Sequence, residues 1–418
     1  MPDMSRTAEE LYREREKRVS DAIALRKTDR VPIILETSYF PAKYTGSSFE
    51  VAWKDYDKWL EITKKTIEDF EPDMVYPSPF TPGWVCEALD MKTMKWPGHG
   101  ISPGISHQFV EGEYMKADEY DLLINDLSDF LLRVIVPRSY GVMEPLAGLP
   151  PLSSILIAHN GLAALAELLA TPPVSSAFET LQRAGRQMAE LRPKLKAFAR
   201  EIDEMGFPQY TTVPVYAPFD VISDRFRGMR GSMLDMYRHP ERLLSAVDRI
   251  LPSQVNAALM VAKATGKPRI FIPLHRGSSG FMSDKQFETF YWPTLKKLIL
   301  ALTDAGLTPC VFFEGDYTSR LHYLLELPRG RVLAQLDATD IFKAKEVLKG
   351  HMCIRGNVPS SLLQVGSPQQ VKAYCKELID KVGIDGGLIM SPRSSIDEVR
   401  PENLMAMVQF TREYGVYR

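Results

Sequence analysis

The sequence predicts an α/β fold, a (βα)8 TIM barrel, from three observations. The chain contains eight short apolar segments, and amphipathic helical patterns separate most of them, which favours parallel pairing of strands. The third observation is that there are eight such segments, because eight parallel strands can close into a barrel. An open doubly wound sheet would show the same alternation, but no Gly-x-Gly-x-x-Gly motif follows the first segment.

The N-terminal part of the chain contains two predicted strands, each preceded by a helix. Glu9 to Leu25 has the spacing of an amphipathic helix, which forms an N-terminal helical extension. Val31 to Glu36 is the first predicted strand. Trp53 to Phe70 is a second helix, and Pro72 to Tyr76 is the second strand.

A long insertion follows the second strand, over approximately residues 77–208. Proline and glycine punctuate its first part and interrupt regular structure. Ala117 to Val134 and Ser175 to Met205 have helical spacing. The apolar run Leu152 to Ala170 predicts a buried helix, because three polar residues interrupt it. We expect the insertion to cover the pocket of the barrel.

Six further apolar segments follow the insertion and complete the set of eight. They are Tyr210 to Tyr216, Arg269 to Leu274, Pro309 to Phe313, Val332 to Leu336, Met352 to Ile354 and Leu388 to Met390. We therefore assign residues 1–418 to a single barrel domain.

Composition and charge argue against several classes of protein. The chain has 51 basic and 53 acidic residues, a net charge of -2, so we expect no nucleic-acid partner. The four cysteines form no CxxC pair, which argues against a disulfide scaffold or a zinc ribbon. The N terminus lacks an apolar signal core, and no uninterrupted apolar run reaches membrane-spanning length. We expect a cytoplasmic protein that binds a small molecule and no membrane.

Polar residues follow the predicted strands, where the loops of a barrel assemble a binding site. Glu314 directly follows an apolar strand, where burial would raise its pKa, and His275 opens a glycine-bearing loop. These two residues are the candidates for catalysis; the alternatives are a carboxylate paired with a barrel arginine and a histidine that only holds its loop. The candidate substrate-binding residues are Glu36, Tyr39, Tyr76, Asp220, Arg276, Asp316, Asp337, Asn357 and Arg393.

Several motifs resemble the uroporphyrinogen decarboxylase superfamily, over most of the chain and most strongly from His275 to the end. The sharpest are Gly356 to Pro359, Gly386 to Ile389 and Pro401 to Leu404, and Asp29 to Pro32 is the first. The resemblance implies a (βα)8 barrel, in agreement with the strand count. It also implies an enzyme, because the superfamily contains porphyrinogen decarboxylases and corrinoid-dependent methyltransferases.

Local departures favour the methyltransferase branch of this superfamily. The N-terminal Arg-Gln-Ala-Gly-Arg motif of the decarboxylases is absent near Tyr39 to Tyr44. The zinc ligands of the coenzyme M methyltransferases are also altered, since Phe312, Glu314 and Ser394 stand where His-x-Cys and a later Cys are expected. Phenylalanine cannot bind zinc and serine is a poor ligand, so we expect no metal there.

The resemblance implies an O-demethylation enzyme that works with a separate corrinoid protein. It would move a methyl group from a small methylated substrate, of the methoxylated aromatic class, to the cobalt of cobalamin held by that partner. Glu314 or His275 would protonate the leaving oxygen, and the basic loop Arg225 to Arg230 would dock the partner. The alternatives are a decarboxylase or other lyase acting on a carboxylated substrate, and a catalytically silent ligand-binding paralogue. A homodimer is an open alternative to a monomer.

Overall fold

The computed structural model describes residues 6–77, 80–157, 159–211 and 214–417. Within those ranges the strands are short, and seven of them belong to one barrel while three form a small separate sheet. The strands are β1 Ile34–Glu36, β2 Met74–Tyr76, β3 Met94–Pro97, β4 Gly100–Ile101, β5 Gln108–Phe109, β6 Arg269–Leu274, β7 Thr308–Phe313, β8 Leu333–Leu336, β9 Cys353–Arg355 and β10 Leu388–Ile389.

The barrel closes through two parallel sheets and single bridges between them. Strands β6 to β10 pair in chain order, and β1 pairs with β2. Ile33 bridges Met390 in parallel, which joins β1 to β10. Val75 bridges Gln209, and the Val215 N–H donates to the Phe271 carbonyl at 3.0 Å, so Gln209 and Val215 lie at the third position of the barrel. The predicted eight-membered barrel is confirmed.

The third barrel position is not the regular strand that the sequence predicted over Tyr210 to Tyr216. Pro208 and Pro214 lack the N–H that a ladder requires, so pairing here is limited to isolated contacts. Two residues of the predicted strand, 212 and 213, lie outside the described residues.

Helices surround the barrel and fill the insertion. Predicted helices in the N-terminal part and at Ser175 to Met205 are confirmed, and α1 begins with a capping box between Thr7 and Glu10. The helices are α1 Ala8–Ile23, α2 Phe40–Tyr44, α3 Val51–Lys54, α4 Tyr56–Phe70, α5 Gly83–Ala88, α6 Tyr120–Asn125, α7 Leu127–Phe130, α8 Val136–Ser139, α9 Gly161–Leu169, α10 Pro172–Glu204, α11 Pro218–Val221, α12 Gly228–Arg238, α13 Pro240–Thr265, α14 Asp284–Gln286, α15 Trp292–Asp304, α16 Ile341–Leu348, α17 Ser360–Val365, α18 Pro368–Lys381 and α19 Pro401–Tyr414.

The described residues of the apolar run Leu152 to Ala170 are mostly exposed, so the prediction of a buried helix is wrong. It forms a short 3₁₀ turn and α9, which pack against each other and the start of α10 and leave Leu156 and Ile157 88% and 84% exposed. An apolar composition alone therefore did not bury this segment. No single helix in the described ranges is long and apolar enough to cross a membrane, although α9 and α10 together, bent by 77°, meet that test.

Candidate active site

His275, Asp224 and Glu314 meet at the carboxyl end of the barrel. The parallel register pairs Leu274 with Phe313, so the residues that follow β6 and β7 emerge side by side. His275 Nδ1 lies 2.5 Å from Asp224 Oδ2, and His275 Nε2 lies 4.0 Å from Glu314 Oε2. The carboxylate of Asp224 therefore fixes the ring and leaves Nε2 directed toward Glu314.

Asp220 lies beneath this group and holds its loop in place. The side chain is fully buried, and it accepts the backbone N–H groups of His275 at 2.9 Å and Arg276 at 3.1 Å. The hydroxyl of Tyr291 donates to it at 2.6 Å. Burial and the neighbouring Asp224 raise the pKa of Asp220 to about 7. The structure thus places this predicted substrate-binding residue in the buried support of the His275 loop.

The charges of the site favour a protonated histidine. Burial opposes the charged ring, but the hydrogen bond to Asp224 and the charges of Asp220 and Glu314 outweigh it and raise the pKa of His275 to about 9. Burial also raises the pKa of Glu314, against the opposing charge of His275. Each group therefore keeps its proton to a higher pH than an isolated imidazole or carboxyl group would.

Glycine at position 315 allows the turn that presents Glu314. Its φ is +88°, and a Cβ there would lie 2.9 Å from the Ser278 side chain. The Gly315 N–H donates to Asp337 Oδ2 at 2.8 Å, which fixes the turn against β8. The Glu314 side chain is 52% exposed, so it stands at the mouth rather than deep in the barrel.

Three further candidates line the β8 to β10 side of the mouth. The carboxylate of Asp337 lies 3.7 Å from Arg393 Nε, which is beyond hydrogen-bonding distance. Asn357 Nδ2 donates to the Asp337 carbonyl at 3.1 Å, and the Tyr374 hydroxyl donates to Asn357 Oδ1 at 3.0 Å. The amide of Asn357 is thus engaged between strands, whereas Arg393 faces the mouth with few partners.

Arg276 and Asp316 hold neighbouring loops. Arg276 Nε donates to Ser223 Oγ at 3.0 Å and lies 3.2 Å from Asp224 Oδ1, so it braces the carboxylate that holds the histidine. Asp316 Oδ1 accepts the N–H of Thr318 at 2.9 Å and begins the 3₁₀ turn Thr318–Glu326. Both side chains are committed to local structure.

Two of the N-terminal candidates, Glu36 and Tyr39, are bonded to protein partners, and the third, Tyr76, lies beside an aromatic ring of the barrel. Glu36 is buried inside the barrel, where its carboxylate accepts a hydrogen bond from Arg355 Nη1 at 2.7 Å. Tyr39 is buried in an aromatic cluster, and its hydroxyl accepts a hydrogen bond from Trp53 Nε1 at 2.8 Å. Tyr76 is half-buried at the end of β2, with its ring 5.9 Å from that of Phe271.

Aromatic rings border the site from within the barrel. The rings of Phe271 and Phe312 stack at 6.3 Å, and both keep a small exposed area. Tyr216 lies 5.9 Å from the His275 ring, and the Arg225 guanidinium lies over it at 4.8 Å. The aromatic ring of Tyr216 therefore adjoins the histidine of the site.

The insertion approaches the mouth at one side. A cavity of about 550 Å³ lies between residues 104–108 and the loop 394–399, with Ser360 and Gln364 of α17 in its wall. Ser106 Oγ donates to Asp397 Oδ2 at 2.5 Å, which ties the insertion to the loop after β10.

Residues 169–414 match the uroporphyrinogen decarboxylase (URO-D) family, and this match covers more than half of the chain. The chain belongs to the uroporphyrinogen decarboxylase family. The resemblance predicted from its motifs is thereby confirmed.

Curated members of the uroporphyrinogen decarboxylase family resemble part of this chain. The uroporphyrinogen decarboxylase of Syntrophotalea carbinolica is 22% identical over 174 residues, which is 41% of this chain and 49% of that protein. The one of Chlorobium phaeobacteroides is 24% identical over 189 residues, 43% of this chain and 52% of that protein. The chain thus spans about half the length of the curated relatives that it matches.

A solved structure supports the fold over nearly the whole chain. A methyltransferase from Methanosarcina mazei superposes with a TM-score of 0.60 at 16% sequence identity, covering 96% of this chain and 98% of that one. At this identity the likeness shows the barrel fold.

Sequence analysis did not count Asp224 and Tyr291 among the site residues of this uroporphyrinogen decarboxylase family member. Asp224 directly precedes the basic loop Arg225 to Arg230, and Tyr291 lies within an aromatic helical run, so neither directly follows a strand. In the part of the chain that is described, no three His, Cys, Asp or Glu side chains lie close enough to hold a metal ion. The absence of zinc from the family's position stays a prediction.

Proposed function

We propose that this chain is a corrinoid-dependent methyltransferase that moves a methyl group from a small methoxylated aromatic substrate to the cobalamin of a separate protein. The observation that carries the proposal is the group of Asp224, His275 and Glu314 at an open barrel mouth. It offers two adjacent proton donors to a substrate that enters from solvent.

The chemistry required of the chain is protonation of a poor leaving group. When the C–O bond of a methyl ether breaks, its electron pair stays on oxygen and must receive a proton. His275 Nε2 can donate because Asp224 holds the opposite ring nitrogen and raises the pKa of the imidazole. Glu314, 4.0 Å away, can give the proton directly or return one to His275.

The corrinoid would supply the nucleophile that accepts the methyl group. A partner-borne group must reach the substrate from outside the barrel, and the half-exposed side chain of Glu314 fits that requirement. The exposed side chains of Arg225 and Arg230 lie on the loop and helix beside the site and could steer an acidic partner.

The apolar wall favours an aromatic substrate. A planar ring can pack against the half-buried ring of Tyr216, with its ether oxygen toward His275, and the small exposed areas of Phe271 and Phe312 can extend that contact. Ring packing of this kind would place the methyl carbon toward the mouth, where the acceptor arrives.

The proposal is tested by incubating the protein with reduced cobalamin on a carrier and a panel of methoxyaromatics. We expect methylcobalamin and the demethylated phenol in equal amounts. The curated relatives are uroporphyrinogen decarboxylases, which makes decarboxylation the second candidate, so carbon dioxide release from uroporphyrinogen is measured in parallel. Decarboxylation without methyl transfer would replace the proposal, and the absence of both would favour the silent paralogue.

A further inference from the structure

We propose that Arg393 binds a carboxylate on the methyl donor, so that the substrate is a methoxylated aromatic acid. This inference rests on the proposed function and names the substrate class of the same site. Arg393 follows β10 at the carboxyl end of the barrel, and its backbone is fixed where its N–H donates to the Val358 carbonyl at 2.8 Å.

The guanidinium of Arg393 has unused hydrogen-bonding capacity. Its Nε is enclosed by protein yet donates no hydrogen bond within the described structure. The nearest carboxylate oxygen, Asp337 Oδ1, is 3.7 Å away, and the other oxygen of Asp337 accepts the Gly315 N–H. Because Nε has almost no exposed surface, the 34% exposure of the side chain lies on its other atoms, and a ligand at the mouth would contact those.

Other arginines around the site are committed to protein partners. Arg276 contacts Ser223 and Asp224, Arg227 pairs with Asp235, Arg320 donates to Asp284 and Arg355 pairs with Glu36. An enclosed guanidinium nitrogen without an acceptor is costly, because an arginine presents five donors in a fixed fork. The Nε of Arg355 also lacks an acceptor, but its Nη1 donates to Glu36 at 2.7 Å. Arg393 differs from these four because its nearest carboxylate lies beyond hydrogen-bonding distance.

Arg393 and the proton donors lie on one connected rim. Asp337 contacts the turn of Glu314 through Gly315 and faces Arg393 with its other oxygen. A substrate that lies across Asp337 can therefore direct its ether toward Glu314 and His275 and its far end toward Arg393.

A carboxylate is the ligand group that suits this arrangement. It matches the guanidinium fork with two parallel hydrogen bonds, which a neutral hydroxyl or a cation cannot make. The neighbouring polar groups do not compete for it, because the Tyr374 hydroxyl and the Asn357 amide are bonded to each other. An aromatic ring between ether and carboxylate would rest against the aromatic wall already described.

The test measures binding without any corrinoid, so that it does not depend on turnover. Calorimetric titration compares 4-methoxybenzoate with uncharged methoxybenzene and a cationic (4-methoxyphenyl)trimethylammonium salt, for wild type, Arg393→Ala, Arg393→Lys and the exposed control Arg400→Ala. We expect wild type and Arg400→Ala to prefer the acid. Loss of a charge-assisted pair should weaken acid binding by roughly 10- to 100-fold in Arg393→Ala, with partial recovery in Arg393→Lys and little change for methoxybenzene.

The outcomes separate the two proposals. Equal affinity of wild type for acid and methoxybenzene, preference for the cationic ether, or unchanged acid binding in Arg393→Ala with a native melting temperature would overturn the role of Arg393. Arg393-dependent binding of the acid without methyl transfer to a loaded carrier would leave the carboxylate site standing and reject the methyltransferase reaction.

Discussion

His275 keeps its proton at neutral pH because carboxylates surround it, and Glu314 is the one that faces its free ring nitrogen. His275 therefore contacts a buried carboxylate network on one side and the exposed carboxylate of Glu314 on the other. Asp224 and Asp220 are fixed by protein hydrogen bonds, whereas Glu314 stands half exposed at the mouth. Substitutions of Glu314 should therefore affect catalysis more than the stability of the fold.

Replacement of Glu314 by glutamine should lower the turnover of methyl transfer by about 10²- to 10⁴-fold, since it removes a general acid while keeping the volume. The melting temperature should change little, because the closest ion-pair partner of Glu314 in the described chain is His275 at 4.0 Å. Glu288→Gln, an equal change on an exposed helical surface, is the control. Near-native activity of Glu314→Gln would assign the residue to structure alone.

The pH dependence of stability should reveal the histidine network. His275 has a folded-state pKa of about 9 against about 6.5 when unfolded, so its contribution is complete below pH 6.5 and disappears as pH rises through 9. The raised pKa of Asp220, about 7, also makes stability fall with pH, over the lower range from about 4 to 7. Free energies of unfolding of wild type and His275→Gln, measured by urea at pH 6, 7.5 and 9, should converge at the highest pH. If the free energies of unfolding of the two proteins instead changed in parallel with pH, the pKa of His275 would not be raised.

At the scale of elements, the loop Arg225 to Arg230 has two different roles. Arg227 is buried, its guanidinium pairs with Asp235 of α12, and it donates to the Met115 carbonyl of the insertion at 2.7 Å. Arg225 and Arg230 are exposed. The sequence shows three arginines of equal appearance, and only packing distinguishes the one that joins insertion to barrel.

Arg227→Ala should destabilise the protein by about 3–5 kcal/mol, because it leaves the carboxylate of Asp235 buried with its strongest partner removed. Arg230→Ala, on the exposed side of the same segment, should stay within about 0.5 kcal/mol of wild type. Urea unfolding followed by circular dichroism measures both. Similar stabilities of the two variants would contradict the assigned role of the buried pair.

The same distinction applies to the sequence predictions as a whole. Apolar periodicity predicted the barrel strands because parallel strands are buried on both faces. It failed at Pro214, where the missing N–H prevents regular pairing, and along α9, where the described chain leaves most of the apolar side chains exposed. The catalytic candidates His275 and Glu314 were accessible to sequence analysis because they directly follow strands. Asp224 was not counted among them, because it reaches the site from a helical turn.

At the scale of the whole molecule, docking of a carrier can be tested without disturbing the fold. Arg225→Glu combined with Arg230→Glu should slow methyl transfer to a carrier at low salt, and the difference from wild type should shrink as salt screens the encounter. Arg249→Glu with Lys263→Glu, an equal reversal on exposed positions of α13, is the control. Equal loss in both double variants would indicate a general charge effect instead of a docking surface.

The single bridges that close the barrel also bear on the order in which it assembles. Strands β6 to β10 are neighbours both along the chain and in their sheet, whereas β1 and β2 join their barrel neighbours through isolated bridges at Ile33 and Gln209. Local pairings close smaller loops and form earlier than distant ones. In hydrogen–deuterium exchange, backbone amides of β6 to β8 should therefore remain protected longest, while those of β1 and β2 exchange through earlier, local opening. Uniform protection around the ring would mean instead that the barrel opens as one cooperative unit.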